Sequence, residues 1–189
     1  LKISFHYPLY RNTAFLGGQK KNNTDIKTTG TTIVGVICKD CVILAADSRA
    51  TGGKIVMEKL CMKLNPLAPN MYCAGAGPAA DCDWVTKKMR AELEMMRRNT
   101  GRPSKVCQAY TRLSNQLIRY GGYIGAHLII GGMDESGRHL VTIDANGMVI
   151  SQGFACMGSG SLAAMAVMEI GFKDGMTEAE GLELCSEAI

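Results

Sequence analysis

The chain has 189 residues, of which 47% are hydrophobic and 20% are charged, a balance typical of a folded globular protein rather than a disordered one. Its length corresponds to one domain, and no apolar run approaches the roughly 20 residues that a membrane-spanning helix requires. The formal net charge of +4 comes from residues 1–30, where five basic residues outnumber one acidic residue, whereas residues 31–189 are neutral. The domain therefore lacks the basic surface of a nucleic-acid-binding protein.

The eight cysteines do not favour a disulfide framework. The chain is longer than the small scaffolds that need disulfides, and its polar N-terminal segment is a poor signal peptide. Most of the cysteines lie in apolar runs, as Cys73, Cys107 and Cys156 do, where a thiol behaves as a small hydrophobic side chain. We therefore expect a reducing compartment.

The first segment, residues 1–30, shows no sustained period of 2 or 3.6. It contains Pro8, the pair Gly17-Gly18 and the polar run QKKNNTDIKTTG. This composition predicts an extended leader with little structure of its own. An ordinary flexible tail is the alternative interpretation.

The pattern changes after Gly30. Residues 31–38 and 41–46 are β-branched and apolar, and Lys39-Asp40 supplies a turn between them, so two strands joined as a hairpin are expected. Both runs are too continuously hydrophobic to have one face in water. They predict strands that are buried on both faces.

A second pair of strands is predicted at residues 53–58 and 71–74, with Pro66 and Pro69 in the loop between them. A long helix follows at residues 79–99, because apolar side chains recur there at helical spacing.

Gly101-Arg102-Pro103 ends this helix, and Ser104 is positioned to cap a second helix that runs to Tyr120. Its predicted buried stripe consists of Val106, Tyr110, Leu113 and Leu117.

The C-terminal half repeats the order of strands followed by helices. Residues 126–133 and 139–144 predict strands on either side of a polar turn, and a further short strand pair lies between Gly147 and Met157. A helix at residues 161–172 precedes a last helix that the capping box of Thr177 and Glu180 opens. Segregated groups of strands and helices predict sheets packed on each other with helix layers outside, an α+β arrangement.

The junction between Gly30 and Thr31 carries the chemistry that the sequence indicates. A threonine hydroxyl is a weak nucleophile at neutral pH, but an N-terminal threonine can use its own α-amino group as the base, since the ordinary pKa of that group is about 7.7 to 8.0. Cleavage before Thr31 would create this amine. Gly30 suits the cleavage because it has no Cβ. By itself, Gly-Thr is also a common start of a strand.

Two charged residues and a glycine-containing turn are predicted to assist the Thr31 nucleophile. Lys63 would lower the pKa of the Thr31 hydroxyl as a buried cation, and Asp47 would hold the ammonium in place. A surface ion pair is the plain alternative. Gly75-Ala76-Gly77 joins a predicted strand to a helix, so its backbone N–H groups can face a developing oxyanion.

The same turn also matches part of a dinucleotide-binding motif, Gly75-x-Gly77-x-x-Ala80, which residues 158–163 half repeat. That motif needs an acidic residue about 20 positions further on, and residues 97–101 contain none. Cys38 and Cys41 form a single CxxC pair, which favours two strand thiols flanking a turn over a zinc or redox site. The histidines, His6, His127 and His139, show no ligand spacing. No cofactor or metal is expected.

Four segments in order resemble the β-type subunits of the eukaryotic 20S proteasome, and among these types the trypsin-like catalytic one is most similar. The segments are TTGTTIVGVICKDCVILAADSRATGG, YCAGAGPAADCDW, RYGGYIGAHLIIGG and MGSGSLAAMAVME. The leader's SFHYPLYRN is similar to a propeptide of that subunit. The resemblance spans essentially the whole chain.

The resemblance implies a four-layer αββα sandwich of the N-terminal-nucleophile hydrolase type. It implies residues 1–30 as propeptide and residues 31–189 as a C-terminally incomplete domain, with processing at Gly30. It also implies a set of catalytic residues: Thr31 as nucleophile, Asp47 and Lys63 as the activating pair, Gly77 as oxyanion donor, and Ser159 beside the Thr31 amine.

Substrate recognition is likewise implied by the resemblance. Ala50 and Thr51 would bind substrate as an added strand, and a pocket of Cys61, Gly75, Ala79 and Asp83 would favour a basic side chain before the scissile bond.

The implied enzyme is a threonine endopeptidase acting on unfolded polypeptides, inactive while its propeptide is attached. Its implied partners are the other α- and β-type subunits in stacked seven-membered rings, in the cytoplasm and nucleus, with no nucleic acid or membrane. A non-catalytic or precursor-state ring subunit is the first alternative, and a dinucleotide-binding enzyme is the remote one.

Overall fold

The structure is a computed structural model that describes residues 5–6, 30–52 and 55–189. The rest of the predicted leader, and Gly53 and Lys54 at the start of a predicted strand, lie outside the described residues. Within the described part, the protein is a mixed α and β protein with antiparallel sheets and four helices. None of these helices combines the length and apolar character needed to cross a membrane.

Eleven strands and four helices are present in the described ranges. The strands are β1 (Phe5–His6), β2 (Thr32–Ile37), β3 (Val42–Ala46), β4 (Ala50–Gly52), β5 (Ile55–Glu58), β6 (Leu64–Ala68), β7 (Met71–Ala76), β8 (His127–Asp134), β9 (Gly137–Ile143), β10 (Val149–Ser151) and β11 (Phe154–Gly158). The helices are α1 (Ala79–Thr100), α2 (Val106–Tyr120), α3 (Ser161–Gly171) and α4 (Glu178–Ala188).

The strands form two main sheets and a separate ribbon. Sheet I has the order β1-β3-β2-β11, sheet II has the order β10-β9-β8-β7-β6, and β4 pairs only with β5. The pairing of β1 with β3 is parallel, and all the other pairs are antiparallel. The predicted hairpin is confirmed, with Ile37 opposite Val42 at its closed end.

Three apolar clusters form the core. One joins sheet II to α1 and α2, and its fully buried members include Met89, Leu93, Leu113, Leu128 and Ile130. A second joins sheet I to α3 and α4 through residues such as Val34, Ile43, Met168, Leu184 and Cys185. The third joins the two sheets to each other through residues such as Ile33, Leu44, Ile129 and Leu140. The strands shared between clusters are therefore buried on both faces, as their composition predicts.

The capping box that opens α4 is confirmed. The Thr177 side chain accepts a hydrogen bond from the Glu180 N–H, and the Glu180 carboxylate accepts one from the Thr177 N–H at 2.8 Å. The other predicted cap is wrong. Ser104 is buried and its hydroxyl donates to the Leu93 carbonyl, whereas the first N–H of α2, that of Val106, donates to the Asp134 carboxylate at 2.9 Å.

Three strand predictions need correction. The predicted pair at residues 53–58 and 71–74 does not form, because β5 pairs with β4 and β7 pairs with β6 and β8. Pro66 lies inside strand β6 rather than in a loop, which is possible because β6 is the edge strand of sheet II and its pairing with β7 is irregular after Pro66. The predicted strand pair between Gly147 and Met157 does not form. Instead β10 joins sheet II beside β9, and β11 crosses to sheet I and pairs with β2.

Candidate active site

Thr31 is the last residue before β2 and is buried, with 5% of its surface exposed. Its carbonyl accepts a hydrogen bond from the Gly160 N–H at 3.3 Å. On the next residue, the Thr32 carbonyl accepts from the Asp47 N–H at 3.0 Å. The start of β2 is thus held between the end of β3 and the turn after β11, which fixes the backbone of Thr31.

The ammonium of Lys63 lies at the centre of the site. Lys63 is 8% exposed, and its Nζ lies 3.3 Å from Thr31 Oγ1 and 3.1 Å from the Gly30 carbonyl oxygen. It also donates to both carboxylate oxygens of Asp47, each at 2.8 Å, and to the Arg49 carbonyl at 2.9 Å. A buried ammonium requires such partners because its desolvation is costly.

Asp47 is positioned by backbone groups as well as by Lys63. Its carboxylate accepts from the Thr32 N–H at 2.7 Å and from the Arg49 N–H at 3.2 Å. Because Asp47 directly follows β3, the hairpin pairing of β2 with β3 places this carboxylate beside Thr31. The predicted trio of Thr31, Asp47 and Lys63 is therefore in contact.

Ser159 lies on the other side of Thr31. The Thr31 N–H donates to Ser159 Oγ at 3.1 Å, and the Ser159 hydroxyl donates to the Thr31 carbonyl at 3.3 Å. The serine follows strand β11, whose pairing with β2 runs to Gly158 opposite Thr32. Its hydroxyl is therefore held within hydrogen-bond distance of the Thr31 backbone nitrogen.

A cavity of about 450 Å³ opens beside Thr31. Its lining residues come from the ends of β7, β8 and β11 and the start of α3: Thr31, Ala76, Gly77, His127, Cys156, Met157, Gly158, Ser159 and Ser161. The backbone φ of Gly77 is +130°, and a Cβ at this position would lie 2.0 Å from the Gly125 carbonyl oxygen. Only glycine is compatible with this turn.

The structure places the two residues expected to bind substrate as a strand on β4. Ala50 pairs with Glu58 and Thr51 with Val56 in the β4–β5 ribbon. Thr51 Oγ1 accepts a hydrogen bond from the Gly30 N–H at 3.4 Å, so the residue before Thr31 already contacts this strand.

The residues of the expected specificity pocket do not line the cavity beside Thr31. Cys61 is half-buried, and its N–H donates to the Ser48 carbonyl. Gly75 packs closely against α1, since a Cβ there would lie 3.1 Å from the Cβ of Cys82. Ala79 is exposed at the start of α1, and Asp83 is exposed and forms an ion pair with Lys87 at 2.7 Å.

Sequence reasoning missed the pair of His127 and Asp144. His127 lies in the cavity lining, and its Nδ1 is 3.0 Å from Asp144 Oδ1. The histidine comes beside Gly77 because it pairs with Ala76 across β7 and β8. No local pattern signals this register. Cys156 in the same lining is neutral at physiological pH, because burial raises the pKa of its thiol to about 11.

The CxxC pair shows the features of core thiols. Cys38 and Cys41 are buried in the cluster under α4, and burial together with the neighbouring Cys41 raises the pKa of Cys38 to about 12. Within the residues that the structure describes, no group of three or more His, Cys, Asp or Glu side chains could hold a metal ion.

Comparisons with known proteins identify the family. The model of a family described as proteasome subunit matches residues 27–189. The chain is 46% identical over 188 residues to proteasome subunit beta type-7-B of Arabidopsis thaliana, covering 100% of this chain and 69% of that protein. It is 43% identical over 185 residues to a probable proteasome subunit beta type-2 of Schizosaccharomyces pombe, covering 98% and 69%. It is 42% identical over 163 residues to proteasome subunit beta type-10 of Bos taurus, covering 86% and 60%.

The chain therefore belongs to the proteasome subunit family, as its resemblance predicts. Within that family it is a β-type subunit of the core particle, the assembly that degrades proteins. It accordingly assembles with other proteasome subunits.

Proposed function

We propose that this chain is a threonine endopeptidase subunit that becomes active when residues 1–30 are removed, and that it cleaves unfolded polypeptides preferentially after basic residues. The observation that carries the proposal is the position of Lys63. Its Nζ lies 3.3 Å from the Thr31 hydroxyl oxygen and 3.1 Å from the carbonyl oxygen of Gly30. The carbon of that carbonyl is the atom that the hydroxyl must attack.

In the processing step, Thr31 Oγ1 adds to the carbonyl carbon of Gly30 while the Lys63 ammonium stabilises charge on the carbonyl oxygen. The Gly30-Thr31 amide bond breaks, its nitrogen takes up a proton, and Gly30 is transferred to the hydroxyl oxygen as an ester. Water hydrolyses the ester. The products are a carboxylate on Gly30 and a free amine on Thr31.

In turnover, the free amine accepts the hydroxyl proton as Thr31 Oγ1 attacks a substrate carbonyl. Ser159 Oγ, 3.1 Å from the same nitrogen, orients the amine, and the Asp47 carboxylate holds the Lys63 ammonium in place. The N–H of Gly77, at the cavity wall, is the proposed donor to the oxyanion. The leaving amine takes the proton, and water then hydrolyses the acyl-enzyme ester.

The preference for basic residues rests on Asp83 and on the strand that contacts Gly30. Thr51 Oγ1 accepts from the Gly30 N–H, and this contact supports a substrate path along β4. We assign the pocket for the basic side chain to Cys61, Gly75, Ala79 and Asp83. The carboxylate of Asp83 pairs with Lys87, so a substrate arginine would take the place of that lysine. The ground for this assignment is the resemblance of the sequence motifs to the trypsin-like catalytic β type.

The remaining parts of the proposal concern the fold of the chain, its assembly and its location. We propose the four-layer αββα sandwich of N-terminal-nucleophile hydrolases, which the three apolar clusters support. We also propose stacked seven-membered rings as the assembly and the cytoplasm and nucleus as its location.

The decisive experiment compares Thr31→Ala with Thr31→Ser in assembled particles. Thr31→Ala is expected to abolish cleavage of fluorogenic peptides that end in arginine and labelling by a peptide epoxyketone, whereas Thr31→Ser keeps a hydroxyl and retains both. Mass spectrometry of the unmutated chain should find an N-terminus at Thr31. Unchanged cleavage after basic residues in Thr31→Ala would instead support a non-catalytic structural subunit.

A further inference from the structure

Asp81, in the first turn of α1, makes a hydrogen bond to a segment outside its own helix. Its Oδ2 accepts from the Gly125 N–H at 2.9 Å. Gly125 lies in residues 121–126, which join α2 to β8, and is 44 positions away from Asp81 along the chain. The hydrogen bond therefore joins the start of α1 to the segment that precedes β8, close to the turn that contains Gly77.

The end of the β7–β8 pairing explains why a side chain accepts this hydrogen bond. The last pair of the two strands is Ala76 with His127. After Ala76 the chain turns into α1, which begins at Ala79, so β7 offers no further backbone acceptor to the residues before β8. The Asp81 carboxylate takes the place of that acceptor for Gly125. Its position in the first turn of a helix suits a negative charge.

Gly125 meets the Gly77 turn through backbone atoms alone. Its neighbours Ile124 and Ala126 are buried in the core cluster under α1 and α2. A Cβ added to Gly125 would lie 3.0 Å from Pro78 Cδ, and one added to Gly77 would lie 2.0 Å from the Gly125 carbonyl oxygen. The two segments are thus in close contact, so the position of Gly125 limits where the backbone of Gly77 can lie.

Gly77 needs a restraint of this kind if its N–H is to act as a donor. A glycine has no side chain and adopts many backbone conformations, including the φ of +130° found here. Gly77 lines the cavity beside Thr31, and its N–H has no hydrogen-bond acceptor among the residues that the structure describes. An oxyanion donor is effective only when it is held in position before the reaction, by the groups packed around it.

We propose that Asp81 is a positioning residue for the Gly77 N–H. Its carboxylate holds Gly125, and the Gly125 carbonyl holds the Gly77 backbone so that the N–H faces the oxyanion. Asp81 acts through Gly125 in this role and does not touch the substrate. The inference rests on the proposed function, because that proposal assigns the oxyanion to Gly77. The plain alternative is that the charge of Asp81 stabilises the first turn of α1 and does nothing more.

Two substitutions of Asp81 separate these roles. Asp81→Asn removes the charge but keeps a side-chain oxygen that can accept from the Gly125 N–H, whereas Asp81→Ala removes both. Loss of an oxyanion donor lowers kcat by roughly 100- to 1,000-fold, and a displaced donor loses part of that effect. We therefore expect Asp81→Ala to lower kcat for arginine-ending peptides by about tenfold or more, with KM within about twofold, and Asp81→Asn to retain at least about half of kcat. Equal losses in both variants would overturn the inference.

The assay uses assembled particles, and each rate is divided by the amount of chain that begins at Thr31, measured by mass spectrometry. Glu92→Ala is the control, because it also removes an acidic side chain from α1 but lies beyond the first turn. It should leave kcat unchanged. Full kcat in Asp81→Ala would overturn the inference. If the unmutated particles showed no cleavage that depends on Thr31, the proposed function itself would be refuted, and the next experiment would still test the contact.

Hydrogen exchange tests the contact between Asp81 and Gly125 without any activity. In the full-length chain, we expect the amides of residues 121–128 to exchange about tenfold faster in Asp81→Ala and as in the unmutated chain in Asp81→Asn, because only alanine removes the acceptor. The amides around Leu113 and Leu117, in the buried part of α2, are the internal reference and should not change.

Unchanged exchange at residues 121–128 in Asp81→Ala would overturn the inference. An equal rise around Leu113 and Leu117 would also overturn it, because the effect would then be global rather than local. Asp81→Ser is the substitute if Asp81→Ala does not fold, since a serine hydroxyl is polar but too short to reach the Gly125 N–H. The same expectations for kcat and for exchange apply to that variant.

Discussion

Lys63 places one ammonium group against two oxygens with opposite roles in the proposed reaction. The Thr31 hydroxyl oxygen is the attacking atom, and the Gly30 carbonyl oxygen develops the negative charge. A buried cation stabilises charge strongly because the surroundings have a low dielectric constant. The same side chain would therefore act in the processing of the precursor and in each later turnover.

Substitution of Lys63 tests this dual role. In Lys63→Ala, we expect release of residues 1–30 and hydrolysis of arginine-ending peptides each to fall by about 100-fold or more, the range found when a charge-stabilising donor is removed. Lys59→Ala is the matched control, because Lys59 is exposed. Intact-mass measurement reports the processing, and a fluorogenic assay reports the hydrolysis. Normal processing in Lys63→Ala would contradict the assignment.

The proposed base, the free amine of Thr31, predicts a particular pH dependence. Only the neutral amine can accept a proton, and the ordinary pKa of an α-amino group is about 7.7 to 8.0. The rate at low substrate concentration should therefore rise with pH through a pKa at or below about 8, since the nearby Lys63 cation disfavours a second positive charge. Thr31→Ser should show the same profile. A flat profile between pH 5 and 9 would exclude the amine as base.

Gly77 can be tested against a second glycine with a similar backbone. The φ angles are +130° at Gly77 and +125° at Gly137, so alanine strains both turns equally. Only at Gly77 would the new Cβ collide with backbone, at 2.0 Å from the Gly125 carbonyl oxygen, whereas nothing lies within 4 Å of it at Gly137. Gly77→Ala should therefore destabilise the chain more, by at least about 2 kcal/mol, in chemical denaturation. Equal losses would contradict the described turn.

Among the secondary-structure elements, α2 begins with a cap that comes from a distant segment. Asp134, at the end of β8, accepts from the Val106 N–H, and its side chain is only 6% exposed. Burial alone would raise the pKa of Asp134, but hydrogen bonds from Ser136, Val106 and His139 lower it overall. The carboxylate thus connects the start of α2 to the β8–β9 turn.

This lowered pKa predicts how the cap contributes to stability. We expect Asp134→Asn to reduce the free energy of unfolding by about 1 to 2 kcal/mol at neutral pH. Because the pKa is lower in the folded state, this contribution is fully present above the unfolded pKa of about 3.9 and is lost as pH falls toward the folded pKa. The difference between Asp134→Asn and the unmutated chain should shrink below about pH 4.

The control for this prediction is Asp40→Asn in the β2–β3 turn, where the aspartate is exposed. It should change the free energy of unfolding by less than about 0.5 kcal/mol at any pH. Urea denaturation at several pH values gives both comparisons. A pH-independent effect of Asp134→Asn would show that charge is not the source of its contribution.

The elements show which features sequence could predict and which it could not. The helices and the hairpin follow from local periodicity and turn residues, so α1, α4 and the β2–β3 pair agree closely with expectation. Strand β6 was missed because proline disfavours strands in general, and only its edge position in sheet II permits Pro66. The Asp134 cap was missed because it bridges residues 28 positions apart.

The same distinction holds for the candidate site. Thr31, Asp47 and Lys63 were selected by chemistry and resemblance. The β2–β3 pairing brings Asp47 beside Thr31, and Lys63 contacts both from the residue before β6. The position of His127 in the cavity depends on the register of β7 and β8, which no short motif encodes. The pairing of strands that are distant in sequence therefore determines which side chains line the cavity, and short motifs do not predict this.

At the scale of the whole molecule, the β4–β5 ribbon and the residues after it expose several large apolar side chains. Ile55 and Met57 are each 71% exposed, and Leu60 is 78% exposed. A clustered apolar surface of this kind is typical of a protein that is buried in an assembly. This fits a subunit that belongs to the proteasome core particle.

We expect Met57→Glu to make the free chain more soluble and to reduce its incorporation into particles several-fold, because a charge at an interface core must be desolvated. Ala91→Glu is the control, since Ala91 on α1 is exposed, presents no large apolar side chain and lies outside this ribbon. Sedimentation of the free chain and native gels of the particle provide the two measurements. Full incorporation of Met57→Glu would show that the ribbon stays in solvent.

The short strand β1 gives the proposed cleavage after Gly30 a further consequence. Phe5 and His6 pair in parallel with Leu44 and Ala45 on β3, so part of the leader closes one edge of sheet I. While the polypeptide is continuous, this contact is intramolecular and its strength does not depend on dilution. If the bond after Gly30 is cut as proposed, the two strands become separate molecules. Strand β1 then stays on sheet I only through intermolecular binding. If β1 dissociates, the backbone N–H and C=O groups on the free edge of β3 are left unpaired, and a strand from another chain can pair with them.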